Sequence, residues 1–501
     1  MPTWLRDFAP ILGLLLLVVL VVGRLPKVDL GHSPAFLRRR FINWFPVGLT
    51  YAFLYMGRYN LNACIGTTFD KAQFSTIYFW GTLTYGISFV INGPITDRFG
   101  GRKAIIAAAL GALAANILIG FGVMRAMQGG TSVPKEAQAG LVPILSLLYA
   151  LNMYFQSFGA VAIVKVNSAW FHLRERGTFG GIFGILISLG LYFALDWCRF
   201  ILERASAPWV FFVPAAILGL FAVLDVVFVR DTPGQAGHAD FDLGDASSGD
   251  DGPPLPMHRV FVLMLRNPVI LTIAAIEFCS GFLRNAILQY YRTFAEETNR
   301  AAVPKVKSAL AEQLRKAAGN PDLVADVQAK IDALPKEFVH DNWGMLNCMA
   351  GISGGVVAGL ISDRVFGSRR GPVAAVLYAL MLVGSILMFF AMPTMALGWG
   401  VVLMTLAIIG VHGMLSGTAS MDFGGKKNVG VVVGGIDGMV YLGTALEAIV
   451  LGKVLPKEAA AHDASNWWTW PVVMLPAAVI GFGLAILVWN ARPKAKAFAG
   501  H

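Results

Sequence analysis

Two arginine residues, Arg58 and Arg284, each lie in the middle of a stretch that is long and apolar enough to cross a lipid bilayer. They occupy matching places in the two halves of the chain. A guanidinium group at that depth costs about 3 kcal/mol on insertion scales, so it is normally kept only where it faces a cavity and a partner. The pair therefore predicts a site that binds an anion.

The second arginine also has a structural interpretation. Glu277 precedes Arg284 by seven residues, which places the two side chains two helical turns apart on a similar face. An ion pair between them would satisfy both charges within the protein. The spacing alone leaves the ligand-binding and the structural interpretation open.

The composition indicates a membrane protein that crosses the bilayer many times. Hydrophobic residues make up 56% of the 501 residues and charged residues only 14%. The net charge of +10 lies mainly in short loops between apolar stretches, which argues against nucleic-acid binding. The four cysteines have no metal-like spacing and predict neither disulfides nor zinc. We expect no metal and no cofactor.

Thirteen apolar stretches are candidate membrane spans of about 20 residues. They lie near 9–23, 41–62, 73–95, 103–124, 141–164, 178–198, 208–229, 267–292, 343–362, 372–392, 398–420, 428–452 and 470–490. We interpret the first as a retained extra helix, the alternative being a signal-peptide core. Basic residues cluster on one side of the membrane, in the loops at 38–40, 98–103, 174–176, 369–370 and 426–427. This side is predicted to be cytoplasmic.

The remaining twelve spans divide into two sets of six around a Gly/Pro/Asp-rich stretch from Asp231 to Pro256, which favours a flexible linker. The predicted organisation is an extra transmembrane helix with a basic linker (1–40), an N-terminal six-helix bundle (41–230), a cytoplasmic linker (231–257), a C-terminal six-helix bundle with an extramembrane insertion at 296–340 (258–492), and a cytoplasmic tail (493–501).

The insertion has apolar residues at helical spacing on both sides of the turn signal Gly319-Asn320-Pro321. It therefore predicts a helical hairpin outside the membrane, on the side opposite the basic loops. Two roles stay open for it: a solvated cap without a ligand, or a lid or docking surface for a partner protein.

The loop GPITDRFGGRK (93–103) follows the second of the twelve spans and is echoed by GLISDRVFGSRR (359–370) after the eighth. The first copy resembles the loop signature of the major facilitator superfamily, G-x-x-x-D-R-x-G-x-R-K. This resemblance implies an all-α membrane protein of two six-helix bundles. An aspartate there can pair with arginines and with the dipole of a neighbouring helix. The expected conformational latch consists of Asp97, Arg98, Arg102, Asp363 and Arg364.

A narrower resemblance covers nearly all of residues 41–490. The segments that carry it include TYAFLYMGRYNL (50–61), AWFHLRERGTFGGIFG (169–184), LRNPVILTIAAIEFCSGFLRNAILQYY (265–291) and KKNVGVVVGGIDGMVYLG (426–443). Together they resemble the organophosphate:phosphate antiporter family, nearest to its glycerol-3-phosphate transporter type. The resemblance implies secondary transport of a small phosphorylated molecule in exchange for inorganic phosphate, with Arg58 and Arg284 holding the phosphate.

Phosphate chemistry agrees with this site independently. A phosphate monoester carries nearly two negative charges and three acceptor oxygens, which two planar guanidinium groups can meet bidentately from opposite sides. Tyrosine hydroxyls can donate further hydrogen bonds. Tyr51 and Tyr55 share a helical face with Arg58, while the resemblance places Tyr85 and Tyr441 in the cavity. Each tyrosine alone is also typical of packing or of a membrane interface.

The chain departs from the glycerol-3-phosphate type at two polar positions. Phe89 and Ile187 stand where that type has a lysine and a histidine, so the organic part of the substrate is not transferable. Asp437 lies four residues before Tyr441, and Glu447 lies lower on the same span. For Asp437 three roles stay open: binding substrate hydroxyls, proton coupling, or a structural ion pair.

Three polar residues in or next to the fourth of the twelve spans have narrower interpretations. Lys165 matches a basic family position and is expected to pair with an acid as a gate or structural residue. Asn152 and Gln156 are four residues apart, so they bond to each other or line the path.

Other function classes find less support in the sequence. The sequence does not contain the metalloprotease motif H-E-x-x-H, which argues against an enzyme of that class. It also lacks the nucleotide-binding loop G-x-x-x-x-G-K-[ST], which argues against a primary pump. A transporter-like receptor that senses a sugar phosphate remains an alternative, as does a proton-coupled organic-anion symporter. We expect a monomer in membrane lipid. No eukaryotic sorting signal is evident, which favours the inner membrane of a two-membrane bacterium.

Overall fold

The structure is a computed structural model. It describes residues 16, 20 and 30–490, except 129, 131–132, 173–174, 244–256, 303–305, 307–308, 311–312, 315–320, 367–369 and 416–419. The predicted extra span at 9–23 and the predicted tail at 493–501 therefore lie outside the described residues, apart from Leu16 and Leu20.

Twelve long helices coincide with the twelve remaining predicted spans. They are α1 (Pro34–Tyr59), α2 (Lys71–Phe99), α3 (Gly101–Ala126), α4 (Lys135–Ser168), α5 (Arg176–Tyr192), α6 (Trp209–Phe228), α7 (Pro268–Glu297), α8 (Trp343–Arg364), α9 (Arg370–Ala391), α10 (Ala396–His412), α11 (Ser420–Val454) and α12 (Thr469–Leu487). Ten helices in the described part of the chain are long and apolar enough to cross a membrane, and α1 and α8 are not among them. The predicted all-α membrane architecture is confirmed.

Local sequence signals explain where several of these helices begin. Ser33 caps α1 by accepting a hydrogen bond from the backbone N–H of Phe36 at 3.2 Å. Asp70 and Gln73 form a reciprocal capping box at the start of α2. Asn267 caps α7 and is followed by proline at the first helical position. These caps fix where α1 and α7, the helices that carry Arg58 and Arg284, begin.

Helix α5 continues through a π-helical turn, Phe193–Trp197, into a short helix, Cys198–Arg204. A π-helical turn inserts an extra residue into the helical repeat and is frequent at functional sites. It lies at the end of the bundles that carries the insertion, which we call the insertion end. The opposite end, with the predicted cytoplasmic loops, is the basic-loop end.

Glycines let α11 pack backbone to backbone against helices of both bundles. A Cβ at Gly281 of α7 would overlap the carbonyl oxygen of Val440, and a Cβ at Gly93 of α2 would overlap that of Gly430. Small residues at such crossings allow the closest helix approach in a membrane. As a result α11 is wedged between α2 and α7.

The first part of the predicted linker differs from the expectation of an unpacked chain. Asp231 accepts a hydrogen bond from the backbone N–H of Arg102 at 2.7 Å. Phe241 packs edge-on against Phe36, with ring centroids 5.6 Å apart, and Leu243 is buried. Two apolar side chains in a polar stretch are enough to dock it on α1. Residues 244–256 lie outside the described residues.

The second half of the predicted hairpin is present as a helix, Pro321–Asp332. A single turn, Phe338–Asp341, then leads into α8. Most of the first half of the hairpin lies outside the described residues, so the hairpin as a whole stays a prediction.

Candidate functional site

Arg58 is completely buried near the end of α1 and bonds to both bundles. Its Nε donates to Oε1 of Gln156 on α4 at 3.0 Å, and one terminal nitrogen donates to the hydroxyl of Tyr441 on α11 at 2.6 Å. The other terminal nitrogen, Nη2, has no hydrogen-bond partner. A buried charged donor is thus available to a ligand.

A chain of amides holds Gln156 in position. The side-chain nitrogen of Gln156 donates to Asn152 at 3.0 Å, and the nitrogen of Asn152 donates to the carbonyl oxygen of Gly57 at 3.0 Å. Asn116 of α3 donates to the same oxygen of Asn152 at 3.3 Å. Asn152 and Gln156 therefore bond to each other, as one of the two sequence interpretations expected. The chain orients Gln156 toward the guanidinium group of Arg58.

Arg284 approaches the same point from α7. It is 4% exposed, and its Nε and Nη2 have no hydrogen-bond partners. The ring of Tyr441 lies 5.6 Å from the Cζ atom of Arg58 and 5.4 Å from that of Arg284. Tyr441 thus contacts both guanidinium groups.

Tyrosine rings enclose Arg58. The rings of Tyr55 and Tyr85 each lie 4.4 Å from its Cζ atom, a distance at which the ring quadrupole attracts a cation. Tyr51 packs edge-on against Tyr55, with ring centroids 5.3 Å apart. The structure brings all four predicted tyrosines to the arginine pair, and the hydroxyl of Tyr85 has no partner.

Two further residues complete the surroundings of the site. Asp437 is 8% exposed and lies close enough to Tyr51, Tyr85 and Tyr441 to interact with them electrostatically. Phe89 packs against Tyr85 and Tyr441, with ring centroids 4.6 and 5.8 Å away, and forms an apolar wall.

Sequence reasoning missed Tyr59. Its ring lies 5.8 Å from that of Tyr55, and its buried hydroxyl has no hydrogen-bond partner. The spacing of four residues from Tyr55 was the available signal, because residues four apart share a helical face.

The structure does not pair Arg284 with Glu277. Oε2 of Glu277 bonds to Nδ1 of His412 on α10 at 2.9 Å. Within the described residues, Arg284 forms no ion pair with a carboxylate. Glu277 thus bonds to His412 inside the C-terminal bundle through one of its two oxygens, and Arg284 remains directed toward Tyr441.

The basic-loop end is closed by an acid from the signature loop. Asp97 pairs with Lys165 of α4 at 2.6 Å and accepts a hydrogen bond from the backbone N–H of Val431 on α11 at 3.2 Å. Asp97 thus pairs with Lys165 and not with the expected arginines. The sequence also predicts that Lys165 pairs with an acid. The contact with α11 connects the two bundles, as a latch requires.

The structure gives less support to the other predicted latch residues. Arg98 is exposed, and Arg102 donates to the carbonyl oxygen of Val226 at 2.6 Å within the N-terminal bundle. The side chains of Asp363 and Arg364 lie outside the described part of the structure.

The insertion end is closed by two ion pairs of opposite direction. Asp196 of the π-helical turn pairs with Arg292 of α7 at 2.5 Å, and Arg199 pairs with Glu296 at 2.6 Å. Because each bundle supplies one acid and one base, α5 and α7 are held in a single register. Asp196 also accepts the backbone N–H groups of Gly344 and Met345, at 2.9 and 2.8 Å, at the start of α8.

A small cavity of about 20 Å³ lies beside these ion pairs, room for roughly one water molecule. Its lining includes Asn62, Arg199, Gln289, Arg292 and Thr293. The arginine pair itself is buried, with Arg58 fully covered and Arg284 4% exposed. The site can therefore bind a ligand only after one end opens and the Tyr441 hydroxyl leaves Arg58.

The family model described as Major Facilitator Superfamily matches residues 47–306. A glycerol-3-phosphate transporter of Bacillus subtilis is 23% identical over 93% of this chain and 96% of its own. A probable hexose phosphate transport protein of Chlamydia pneumoniae is 24% identical over 89% of this chain and 90% of its own. The membrane sensor protein UhpC of Escherichia coli is 23% identical over 93% and 95%.

The solved structure of a xylose transporter from E. coli, in a partially occluded inward-open conformation, is similar in fold. Its TM-score is 0.58 at 12% identity, over 88% of this chain and 97% of that chain. The predicted fold and family resemblance are confirmed, and the relatives named here are transporters and a sensor rather than enzymes.

The Glu277–His412 pair generates a stability prediction. The substitution His412→Leu leaves the carboxyl group of Glu277 buried without its hydrogen-bond partner, and leaving a buried polar group unsatisfied in this way costs about 1–3 kcal/mol. We expect a lower Tm in detergent. The double variant with Glu277→Met removes the orphaned polar group and should recover most of the loss. A double variant as unstable as His412→Leu would contradict this assignment.

Proposed function

This chain belongs to the major facilitator superfamily, and we propose that it is a secondary transporter of a phosphorylated small organic molecule that it exchanges for inorganic phosphate. The observation that carries the proposal is the arginine pair. Arg58 and Arg284 come from equivalent helices of the two bundles, are buried, and keep donors without partners. The relatives named for glycerol 3-phosphate and hexose phosphate support a phosphate ester as the ligand.

A phosphoryl group would replace the hydroxyl of Tyr441 between the arginines. Its oxygens would accept hydrogen bonds from Nη2 of Arg58 and from Nε and Nη2 of Arg284, the donors that have no partners in the closed structure. Two negative charges on the ligand balance the two guanidinium charges. Charge-assisted bidentate bonds of this kind are among the strongest that proteins make.

Exchange follows from the charges of the empty site. Without an anion, two buried guanidinium groups face each other across one tyrosine, which raises the free energy of every closed intermediate. A bound phosphate lowers it and so speeds the passage between forms open to either side. The empty carrier crosses slowly, and transport in one direction requires return with another phosphate.

The latch at the basic-loop end and the ion pairs at the insertion end would open alternately. Asp97 separates from Val431 in one form, and Asp196 separates from Arg292 in the other. The carrier would act as a monomer in the inner membrane of a bacterium, with the basic-loop end in the cytoplasm. Asp437, beside the tyrosines, would bind hydroxyl groups of the organic part.

A sensor is the second candidate function, because UhpC matches over a similar share of the chain. The same clamp would bind a sugar phosphate in either case. The difference is whether the ligand crosses the membrane, so uptake of label into vesicles separates the two functions.

Counterflow in proteoliposomes tests the proposal directly. Vesicles loaded with unlabelled phosphate should take up labelled phosphate, and external phosphate esters should compete for this uptake. Arg58→Lys and Arg284→Lys should each reduce the initial rate by about 100-fold or more, because lysine cannot bind two oxygens in a plane. The panel of competing esters then ranks the organic moieties.

Arg125→Lys is the matched control, since Arg125 is an exposed residue near the end of α3. It should leave counterflow unchanged. Ligand binding without any uptake would favour the sensor. Full counterflow in both clamp variants would contradict the proposed site.

The ion pairs at the insertion end generate a separate prediction about opening. Asp196→Asn removes the charge that holds Arg292, so the insertion end should open more often. The reporter is Thr293→Cys, at a position that is 6% exposed beside the cavity. With Asp196→Asn present, this cysteine should react about tenfold faster with a neutral thiol reagent than without it, equivalent to about 1.4 kcal/mol. The same measurement on the protein without Thr293→Cys gives the background from the four native cysteines, which are buried in the closed structure.

The control for this assay is Asp326→Asn, which breaks the exposed pair with Lys330 on the insertion. Its labelling rate should equal that of the parent. An unchanged rate in Asp196→Asn would show that this ion pair does not hold the insertion end closed.

A further inference from the structure

One carboxyl group in the membrane has a setting unlike that of the other acids described above. Glu447 of α11 is completely buried, and neither of its oxygens has a hydrogen-bond partner. Asp97, Asp196, Glu277 and Glu296, by contrast, each bond to a basic side chain. Glu447 forms no ion pair within the described part of the chain.

An ionised carboxylate in this position would be prohibitively unfavourable. Burying a charge is tolerated where a counter-ion and hydrogen bonds replace water, and otherwise the group takes up a proton and becomes neutral. No other mid-membrane acid in the described residues lacks both. In the closed structure, Glu447 is therefore a neutral carboxylic acid.

Glu447 lies at the seam between the two bundles, toward the insertion end from the clamp. It follows Tyr441 by six residues on α11, and Thr444 between them bonds to Asn285 of α7 at 2.7 Å. It lies close to Tyr78 of α2 and to Tyr290 of α7. A separation of α2 from α7 and α11 would bring this carboxyl group into contact with water.

Few charged groups face this position. Two titratable residues close to it are the phenols Tyr78 and Tyr290. Further along the packed elements are Tyr59 on α1, Lys71 on α2, Tyr149 on α4, Arg284 and Glu297 on α7, and Lys453 on α11 itself. Lys71 is held by Glu297 and by the carbonyl oxygen of Pro456, at the very end of the seam. The charge of Glu447 is thus set by access to water.

We propose that Glu447 is a proton-binding site that couples the opening of the insertion end to external pH. The inference rests on the alternating opening described under the proposed function. In the closed form the carboxyl group holds a proton. In the open form it is hydrated and releases that proton to water, since a hydrated glutamic acid is ionised near neutral pH.

The direction of the effect follows from linkage. The closed form binds one more proton than the open form, so acid outside favours closure and alkaline medium favours opening. The limit for a single proton is a tenfold change in the open-to-closed ratio per pH unit. Transported phosphate titrates in the same range, so the test must not depend on substrate.

The experiment uses the full-length Thr293→Cys protein in proteoliposomes without substrate. Its labelling rate by a neutral reagent is measured from pH 5.5 to 8.5 and divided by the rate of a free thiol at the same pH. The normalised rate should rise with pH, by up to about tenfold per unit. With Glu447→Gln, which is permanently neutral and nearly isosteric, it should be low and independent of pH.

Two further variants serve as controls for this test. Glu447→Asp retains an acid and should retain the pH dependence, whereas Asp463→Asn changes a fully exposed acid at the same end of the molecule and should behave as the parent. A flat profile in the parent, or a parental profile in Glu447→Gln, would overturn the proposal. If Glu447→Gln does not fold, a flat profile in Glu447→Asp does the same.

The labelling assay also separates this inference from the transport function. It reports the insertion end whether or not any phosphate ester crosses the membrane. If the arginine variants kept full counterflow, the pH profile of labelling could still be interpreted. A flat pH profile, in turn, would not change the result of the counterflow experiment.

Discussion

Two positively charged groups, Arg58 and Arg284, are buried at the centre of this protein, and within the described residues neither forms an ion pair with a carboxylate. Arg58 and Arg284 each retain donors that no described residue satisfies. The surrounding structure limits the penalty: Gln156 takes one bond, Tyr441 takes another, and aromatic faces surround the rest. The remaining imbalance is what a dianionic ligand would remove. A site of this kind stabilises the occupied carrier more than the empty one.

The closed ends of the molecule follow a different electrostatic rule. There the buried bases that join the bundles meet acids, as Lys165 meets Asp97 and Arg199 meets Glu296. Such pairs are internally neutral and can separate and re-form as the bundles move. The arginine pair at the centre lacks such acids among the described residues, which is why we propose that a ligand binds there. Glu447 achieves neutrality by a third route, the uptake of a proton.

Much of this arrangement could be predicted from the sequence, because it depends on local periodicity. The positions of the helices, the depth of both arginines and the shared face of Tyr51, Tyr55 and Arg58 all follow from spacing within one helix. Partners across helices could not be predicted in the same way. Spacing alone suggested Glu277 as the partner of Arg284, whereas in the folded protein Glu277 bonds to His412 on another helix. Asp196 was missed because its partners come from α7 and α8, and a π-helical turn shifts its direction.

The most direct test is an experimental structure of the protein with a bound phosphate ester that supports counterflow. The phosphorus atom should lie between the two guanidinium groups, with its oxygens within hydrogen-bond distance of both Arg58 and Arg284. The hydroxyl of Tyr441 should have left Arg58. An ester bound elsewhere, with Arg58 still bonded to Gln156 and Tyr441 and Arg284 without a ligand, would contradict the account.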